Sequence, residues 1–209
     1  MTGVDSARVL LLREALASSG WVERTRSFAS TLRRVPEPGR LLLVGTPQEE
    51  PWHLAAHLDD EARMSGLAQL SPTLVRWAPP PAAPPHLSVT LARLESAARG
   101  ETVFVVAPDA TPESLLERVA DARRTGATIL SIDDGNDDLA SLAHDRLVVP
   151  TTGASGLVVA SQMPSNIDLD IDALSHLVSV AAGEGSNNPS LRGRFARLLE
   201  RMSGPAPRH

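Results

Sequence analysis

The sequence predicts a three-layer α/β/α sandwich built around a mainly parallel, five-stranded sheet. Short, continuously apolar runs indicate strands buried on both faces, and amphipathic helical segments alternate with them along the chain. Parallel strands need crossover helices between them, so this alternation is typical of a parallel sheet covered on both sides. The strands are predicted at 41–45, 72–77, 102–107, 127–132 and 146–149.

The helices follow from apolar periodicity and from helix start and stop signals. Two N-terminal helices are predicted within the first 34 residues, separated by Gly20 and ended by the Pro-Glu-Pro-Gly sequence at 36–39. Later helices are predicted at about 50–64, 88–98, 112–125, 137–143, 168–182 and 191–202. The Pro-rich stretch 78–85 predicts a stiff, extended connection.

These elements divide the chain into three regions. Residues 1–36 form N-terminal helices of the same domain, 37–182 the α/β domain, and 183–209 a linker, a C-terminal helix and a frayed tail.

Composition excludes several classes of function. All 20 basic residues are Arg, 25 residues are acidic, and the net charge of -5 argues against broad binding of nucleic acid. The chain has no Cys, which excludes disulfides, iron–sulfur clusters, thiolate zinc sites and a Cys nucleophile. No apolar run approaches the ~20 residues that span a bilayer, and the first apolar run is too short for a signal peptide. We therefore expect a cytoplasmic protein without a membrane partner.

Several local patterns carry a resemblance to a known family. They are Gly-Thr-Pro-Gln at 45–48 followed by His-Leu-Ala-Ala-His-Leu at 53–58, Gly-Glu-Thr-Val-Phe-Val-Val at 100–106, Thr-Pro-Glu at 111–113, and the strand and helix of 126–145. In order and spacing they resemble the sugar isomerase (SIS) domain. The subgroup they resemble most contains the phosphoheptose isomerases and the related replication-initiator-associating protein.

The resemblance spans about residues 5–182. It implies a flavodoxin- or Rossmann-type fold, a phosphosugar ligand, and a homodimer or homotetramer packed through the N-terminal helices.

The loops that resemble the family's phosphate site depart from its pattern. The family uses a Ser- and Gly-rich loop at a helix N-terminus, where free N–H groups and the helix dipole favour an anion. Here 107–111 reads Ala-Pro-Asp-Ala-Thr, so Pro108 supplies no N–H group and a carboxylate at Asp109 would repel phosphate unless a cation intervened. The candidate ligand-binding residues are Thr46, Gln48, Asp109, Thr111 and Ser114. The alternative is helix capping, with Thr111 as N-cap before Pro112.

Histidines suggest a metal site. His53 and His57 lie four residues apart on one helix face, a spacing that suits zinc when other elements supply further ligands. In the resemblance they match a zinc-binding His and a catalytic Glu, and Asp168 and His176 have the spacing of the remaining site residues. His53, His57, Asp168 and His176 could therefore hold zinc or another divalent ion, with His57 and His176 as candidate catalytic bases.

The same residues also have ordinary structural interpretations. His53 and His57 could be helix-edge residues paired with Glu61, and Asp172–His176 an ordinary surface pair at i, i+4. The acidic run 133–138 lacks the final Glu of a calcium loop, which favours a turn and helix cap.

Three hypotheses for function follow. The first is a non-catalytic SIS-like protein that binds a phosphosugar-like small anion or serves as a regulatory, oligomeric module. The second is a metal-dependent aldose–ketose phosphosugar isomerase with a rearranged site. The third is an interaction protein that docks through the Arg-rich C-terminal helix, whose arginines are otherwise a solvated face: Arg192, Arg194, Arg197 and Arg201.

Overall fold

The computed structural model describes residues 21–149 and 171–184, together with Arg197. The predicted first helix, residues 150–170 including Asp168, and the rest of the C-terminal region lie outside the described residues. None of the helices in the described ranges is long and apolar enough to cross a membrane.

Five strands alternate with six helices along the described chain. The strands are β1 Leu41–Gly45, β2 Thr73–Val75, β3 Thr102–Ala107, β4 Thr128–Asp133 and β5 Asp145–Val148. The helices are α1 Trp21–Leu32, α2 Trp52–Ser65, α3 Ala92–Glu95, α4 Glu113–Arg124, α5 Asp137–Leu142 and α6 Ile171–Gly183, with 3₁₀ turns at Ala68–Leu70 and Pro85–Leu87.

The strands form one sheet of order β2-β1-β3-β4-β5, and every pairing is parallel. The predicted three-layer α/β fold is confirmed. The strand order reverses direction between β1 and β3, and in open α/β sheets ligands bind in the crevice outside the carboxyl ends of strands at such a point.

Two apolar clusters fill the space on either side of the sheet. Successive residues of β1 and β3 alternate between them, because side chains along a strand point to opposite faces. Leu43 and Phe104 pack with α1, α2 and α6, whereas Leu42 and Val105 pack with α3 and α4. These contacts bury both faces of the central strands.

The segment between β2 and β3 differs from the prediction. The predicted extended connection at 78–85 contains a turn, in which the N–H group of Ala83 donates to the carbonyl oxygen of Pro80 (2.9 Å). The predicted helix at 88–98 is reduced to the single turn of α3, and a 3₁₀ turn at Pro85–Leu87 precedes it. The N–H group of Arg76 donates to the carbonyl oxygen of Val89 (2.8 Å), so the chain must fold back onto the end of β2. This tertiary contact overrides the local helical pattern.

Candidate functional site

A small open cavity of about 170 Å³ lies where β1 and β3 end, next to the first turns of α2 and α6. It is lined by Glu49, Glu50, Pro51, Trp52, His53, Leu54, Val106, Ile171 and Ser175. The cavity therefore lies at the position where open α/β sheets bind ligands, outside the carboxyl ends of the strands at the reversal of strand order.

The loop after β1 forms one wall of the cavity because it turns back sharply on the strand. A Cβ atom at Gly45 would lie 2.0 Å from the carbonyl oxygen of Glu49 and 2.7 Å from Cδ of Pro51, so only glycine fits. The hydroxyl of Thr46 accepts a hydrogen bond from the N–H group of Glu49 (3.2 Å). Pro51 occupies the N-cap position of α2 and makes no side-chain hydrogen bond there. The N–H group of Trp52 donates to the carbonyl oxygen of Glu50 (2.8 Å), which leaves the amides of His53 and Leu54 as the first-turn amides without an intrahelical acceptor.

A hydrogen-bonded cluster around Glu50 supports this wall. One carboxylate oxygen accepts from Nε of Arg76 (3.0 Å) and from Nε1 of Trp52 (3.1 Å), and the other accepts from the N–H group of Trp77 (3.2 Å). Nε1 of Trp77 donates to the carbonyl oxygen of Gly45 (2.8 Å). The cluster joins the ends of β1 and β2 and leaves Glu50 both hydrogen-bonded and charge-paired.

The predicted ligand-binding residues do not line this cavity. Thr46 is buried beneath the loop, and Gln48 and Ser114 are exposed. Asp109 Oδ1 and Thr111 Oγ1 are buried, and neither atom has a hydrogen-bond partner among the described residues. The loop after β3 thus lies at the same edge of the sheet as the cavity but does not border it.

The capping interpretation of that loop is wrong. Helix α4 begins at Glu113, Pro112 occupies the N-cap position, and no side-chain hydrogen bond caps the helix. Thr111 is one residue too early to cap it, because Pro112 adopts an extended conformation before the first helical residue.

The predicted metal and catalytic residues are partly brought together. The rings of His57 and His176, on the facing helices α2 and α6, have centroids 4.4 Å apart. Neither ring lines the cavity, whereas His53 does. Within 21–149 and 171–184, no group of three His, Asp or Glu side chains could hold a metal ion. Since Asp168 lies outside the described residues, the four-residue metal site stays a prediction.

The acidic run after β4 forms the turn and helix cap that its spacing favours. Asp133 is fully buried, and Nε of Arg146 donates to both of its carboxylate oxygens (3.0 and 2.9 Å). Oδ1 of Asn136 accepts from the N–H group of Leu139 (2.8 Å), which caps α5. The arginine therefore neutralises the carboxylate that a calcium site would have used.

His144 lies at the amino end of β5, on the edge of the sheet away from the cavity. Its Nδ1 accepts a hydrogen bond from the N–H group of Ile129 (2.9 Å). Burial and the nearby charge of Arg123 lower the pKa of this imidazole, which favours its neutral form. The hydrogen bond to Ile129 joins the start of β5 to β4, which is a structural role.

Comparison with known proteins shows the fold alone. No family model matches the chain, and no curated protein matches it. A solved structure from Silicibacter pomeroyi, provisionally described as a phosphosugar isomerase, is similar with a TM-score of 0.55 and 14% sequence identity. The likeness supports the observed α/β fold with its all-parallel sheet. The match covers 95% of this chain and 55% of that one, so the chain spans about half the length of the relative.

Tertiary structure adds site residues that local sequence patterns do not indicate. Glu50, Trp52, Arg76 and Ser175 come from three separate segments. One feature of the sequence could have indicated these residues. Two of its three tryptophans, Trp52 and Trp77, follow the first and second predicted strands.

Proposed function

We propose that this chain is a SIS-like binding module that holds a phosphosugar-like small anion in the cavity at the ends of β1 and β3 without isomerising it. The observation that carries the proposal is the position of the cavity, at the reversal of strand order and against the uncapped N-terminus of α2. Free amides and the positive end of a helix dipole favour an anion at such a place.

Two carboxylates, those of Glu49 and Glu50, line the cavity and differ in their surroundings. Arg76 pairs with Glu50, so that carboxylate does not present an uncompensated negative charge. Glu49 is exposed, and its carboxylate can accept hydrogen bonds from sugar hydroxyls while phosphate lies nearer the helix amides. Ser175 and His53 also line the cavity, and a hydroxyl and an imidazole are side-chain types that hydrogen-bond sugars and phosphates.

The absence of catalysis is proposed from the positions of the candidate bases. A general base must come within hydrogen-bond reach of the proton that it removes. His57 and His176 contact each other away from the cavity lining, and Glu50 is engaged by three donors. We therefore propose that the cavity binds a ligand without an acid–base pair to isomerise it.

Assembly is a second part of the proposal and rests on the family resemblance. We propose a homodimer or homotetramer formed through residues 1–36, with the Arg-rich C-terminal helix available to a protein partner. Light scattering of the full chain and of a chain lacking 1–20 tests the first statement. Pull-downs with and without 190–209 test the second, and an unchanged set of partners after truncation would contradict it.

Ligand-induced stabilisation tests the binding function. The melting temperature of the full chain is measured with glucose 6-phosphate, glucose and inorganic phosphate. A ligand at 100 times its Kd stabilises the native state by about 2.7 kcal/mol, so the sugar phosphate should raise the melting temperature most. No shift with any phosphorylated sugar would overturn the proposal.

Paired histidine variants locate the binding. His53→Ala removes an exposed donor at the cavity and should weaken sugar phosphate binding about tenfold, as expected for a hydrogen bond to a charged group. His86→Ala is the matched control because His86 is exposed and lies outside the cavity lining. Equal affinities of the two variants would place the ligand elsewhere.

The contact between His57 and His176 favours a second candidate, a metal-dependent aldose–ketose phosphosugar isomerase. His57 and His176 would supply two imidazole ligands to a divalent ion, and His53 and Asp168 would have to complete the site. A bound ion would polarise the substrate carbonyl. Zinc titration of the wild type and of His57→Ala tests this candidate. Equal zinc affinities, or no isomerisation of sugar phosphates with zinc present, would exclude it.

A further inference from the structure

Trp52 is an exposed aromatic side chain at the cavity. It is the first residue of α2, it lines the cavity, and 39% of its surface is exposed. A large apolar ring left open to solvent beside a concave site provides surface that a ligand can cover.

Two contacts hold the ring in one orientation. Its Nε1 donates to Glu50 (3.1 Å), and the guanidinium carbon of Arg76 lies 4.5 Å from the ring centroid. Arg76 is itself held by Glu50 and is only 15% exposed, so this support is fixed in place. A ring that is already ordered loses little conformational entropy when a ligand packs on it.

We infer that Trp52 is the platform on which the ring of a monosaccharide stacks, an inference that rests on the proposed function. Arg76 lies over one face of the indole, and the 39% of the residue that remains exposed is the surface offered to a ligand. The electron-rich face of the indole attracts the C–H groups on the apolar face of a sugar ring. The hydroxyls around the sugar then meet oxygen atoms of Glu49 and Ser175 at the cavity wall.

The size of the cavity favours a single sugar over a larger flat ligand. Sites for drug-sized molecules commonly measure about 300–1,000 Å³, whereas this cavity measures about 170 Å³. A monosaccharide phosphate can place its ring on Trp52 and its phosphate at the N-terminus of α2. The predicted ligand class is therefore a cyclic sugar phosphate, in preference to an open-chain one.

Calorimetric titration of the full-length wild type and three variants tests this inference. The probes are glucose 6-phosphate, which is cyclic, glucitol 6-phosphate, which is open-chain, inorganic phosphate and unphosphorylated glucose. Trp52→Ala removes the platform, and Trp52→Phe keeps a ring while removing the indole N–H group. Met64→Ala is the matched control, because Met64 is a similarly exposed apolar side chain (45%) on the same helix outside the cavity lining. Circular dichroism and melting temperatures verify that each variant is folded.

We expect Trp52→Ala to weaken glucose 6-phosphate about tenfold, or about 1.4 kcal/mol, with the other phosphorylated probes changed less than about twofold. Trp52→Phe should keep most of the affinity, which shows that the ring and not the hydrogen bond is responsible. Met64→Ala should match the wild type. Equal weakening of all probes by Trp52→Ala, or none, would overturn the inference while leaving the proposed function intact.

The same titrations separate failure of the proposed function from failure of the platform. Binding of glucose but of no phosphorylated probe would contradict the anion site, and loss of that binding in Trp52→Ala would still support the platform. Binding of none of the four probes by the wild type would overturn both.

Discussion

Two loops leave the central strands at the same edge of the sheet, and they differ in how their polar groups are satisfied. In the loop after β1, Thr46 accepts a backbone hydrogen bond and Glu50 receives three donors. In the loop after β3, Asp109 Oδ1 and Thr111 Oγ1 are buried, and within the described residues no donor reaches either atom.

The loop after β1 is therefore a preorganised wall, whereas the loop after β3 contains polar atoms whose burial costs free energy. A buried polar atom without a hydrogen bond costs about 1–3 kcal/mol, whereas satisfied groups hold a loop in place. Only the loop after β1 contributes side chains to the cavity. Family resemblance gave candidate ligand-binding residues in both loops, and of the two only the loop after β1 borders the cavity.

The largest expected effect comes from breaking the loop after β1 at Gly45. Gly45→Ala should lower the free energy of unfolding by about 3 kcal/mol, because the new methyl group overlaps the backbone of Glu49. Urea denaturation measures the loss. Gly66→Ala is the control: a methyl group there meets no atom within 4 Å and only the positive φ of 71° is strained, at about 1 kcal/mol. Equal losses in the two variants would show that the loop tolerates the methyl group.

A smaller effect is expected from Glu50→Ala. The substitution removes the acceptor shared by Arg76, Trp52 and Trp77, and should cost about 2 kcal/mol of stability. Thermal unfolding measures this cost. Glu37→Ala removes a carboxylate from an exposed pair with Arg40 and should cost less than about 0.5 kcal/mol. A Glu50 variant as stable as the Glu37 variant would mean that the cluster does not brace the wall.

The smallest effects compare the two loops directly and should have opposite signs. Thr46→Val removes a buried hydroxyl that accepts a hydrogen bond, and should destabilise the protein by about 1 kcal/mol. Thr111→Val removes a hydroxyl that has no partner within the described part of the chain, at a residue that is 9% exposed, and should stabilise the protein by about 1 kcal/mol. Denaturant midpoints measured side by side decide the comparison. Destabilisation of both variants to the same extent would remove the distinction between the loops.

Much of the fold could be predicted because it depends on local pattern. The apolar runs at 41–45 and 102–107 predicted the two central strands with the bounds that the structure has. The helix predicted at 88–98 was too long, because only Ala92–Glu95 is helical and Val89 instead accepts a hydrogen bond from Arg76, a residue that local periodicity does not relate to it. Asp109, Thr111 and Ser114 were selected by family resemblance, which transfers positions but not the side-chain packing around them.

The sequence by itself determined the layers, the parallel sheet and the glycine that turns the chain at the end of β1. Side-chain alternation, crossover length and steric fit are local properties that a single chain carries in its order of residues. Only the tertiary structure decided the cavity wall, because Val44 pairs with Val75 and this register brings Arg76 beside Glu50, 26 positions away in the chain. Contacts between distant residues follow from strand register and packing, and no short pattern encodes them.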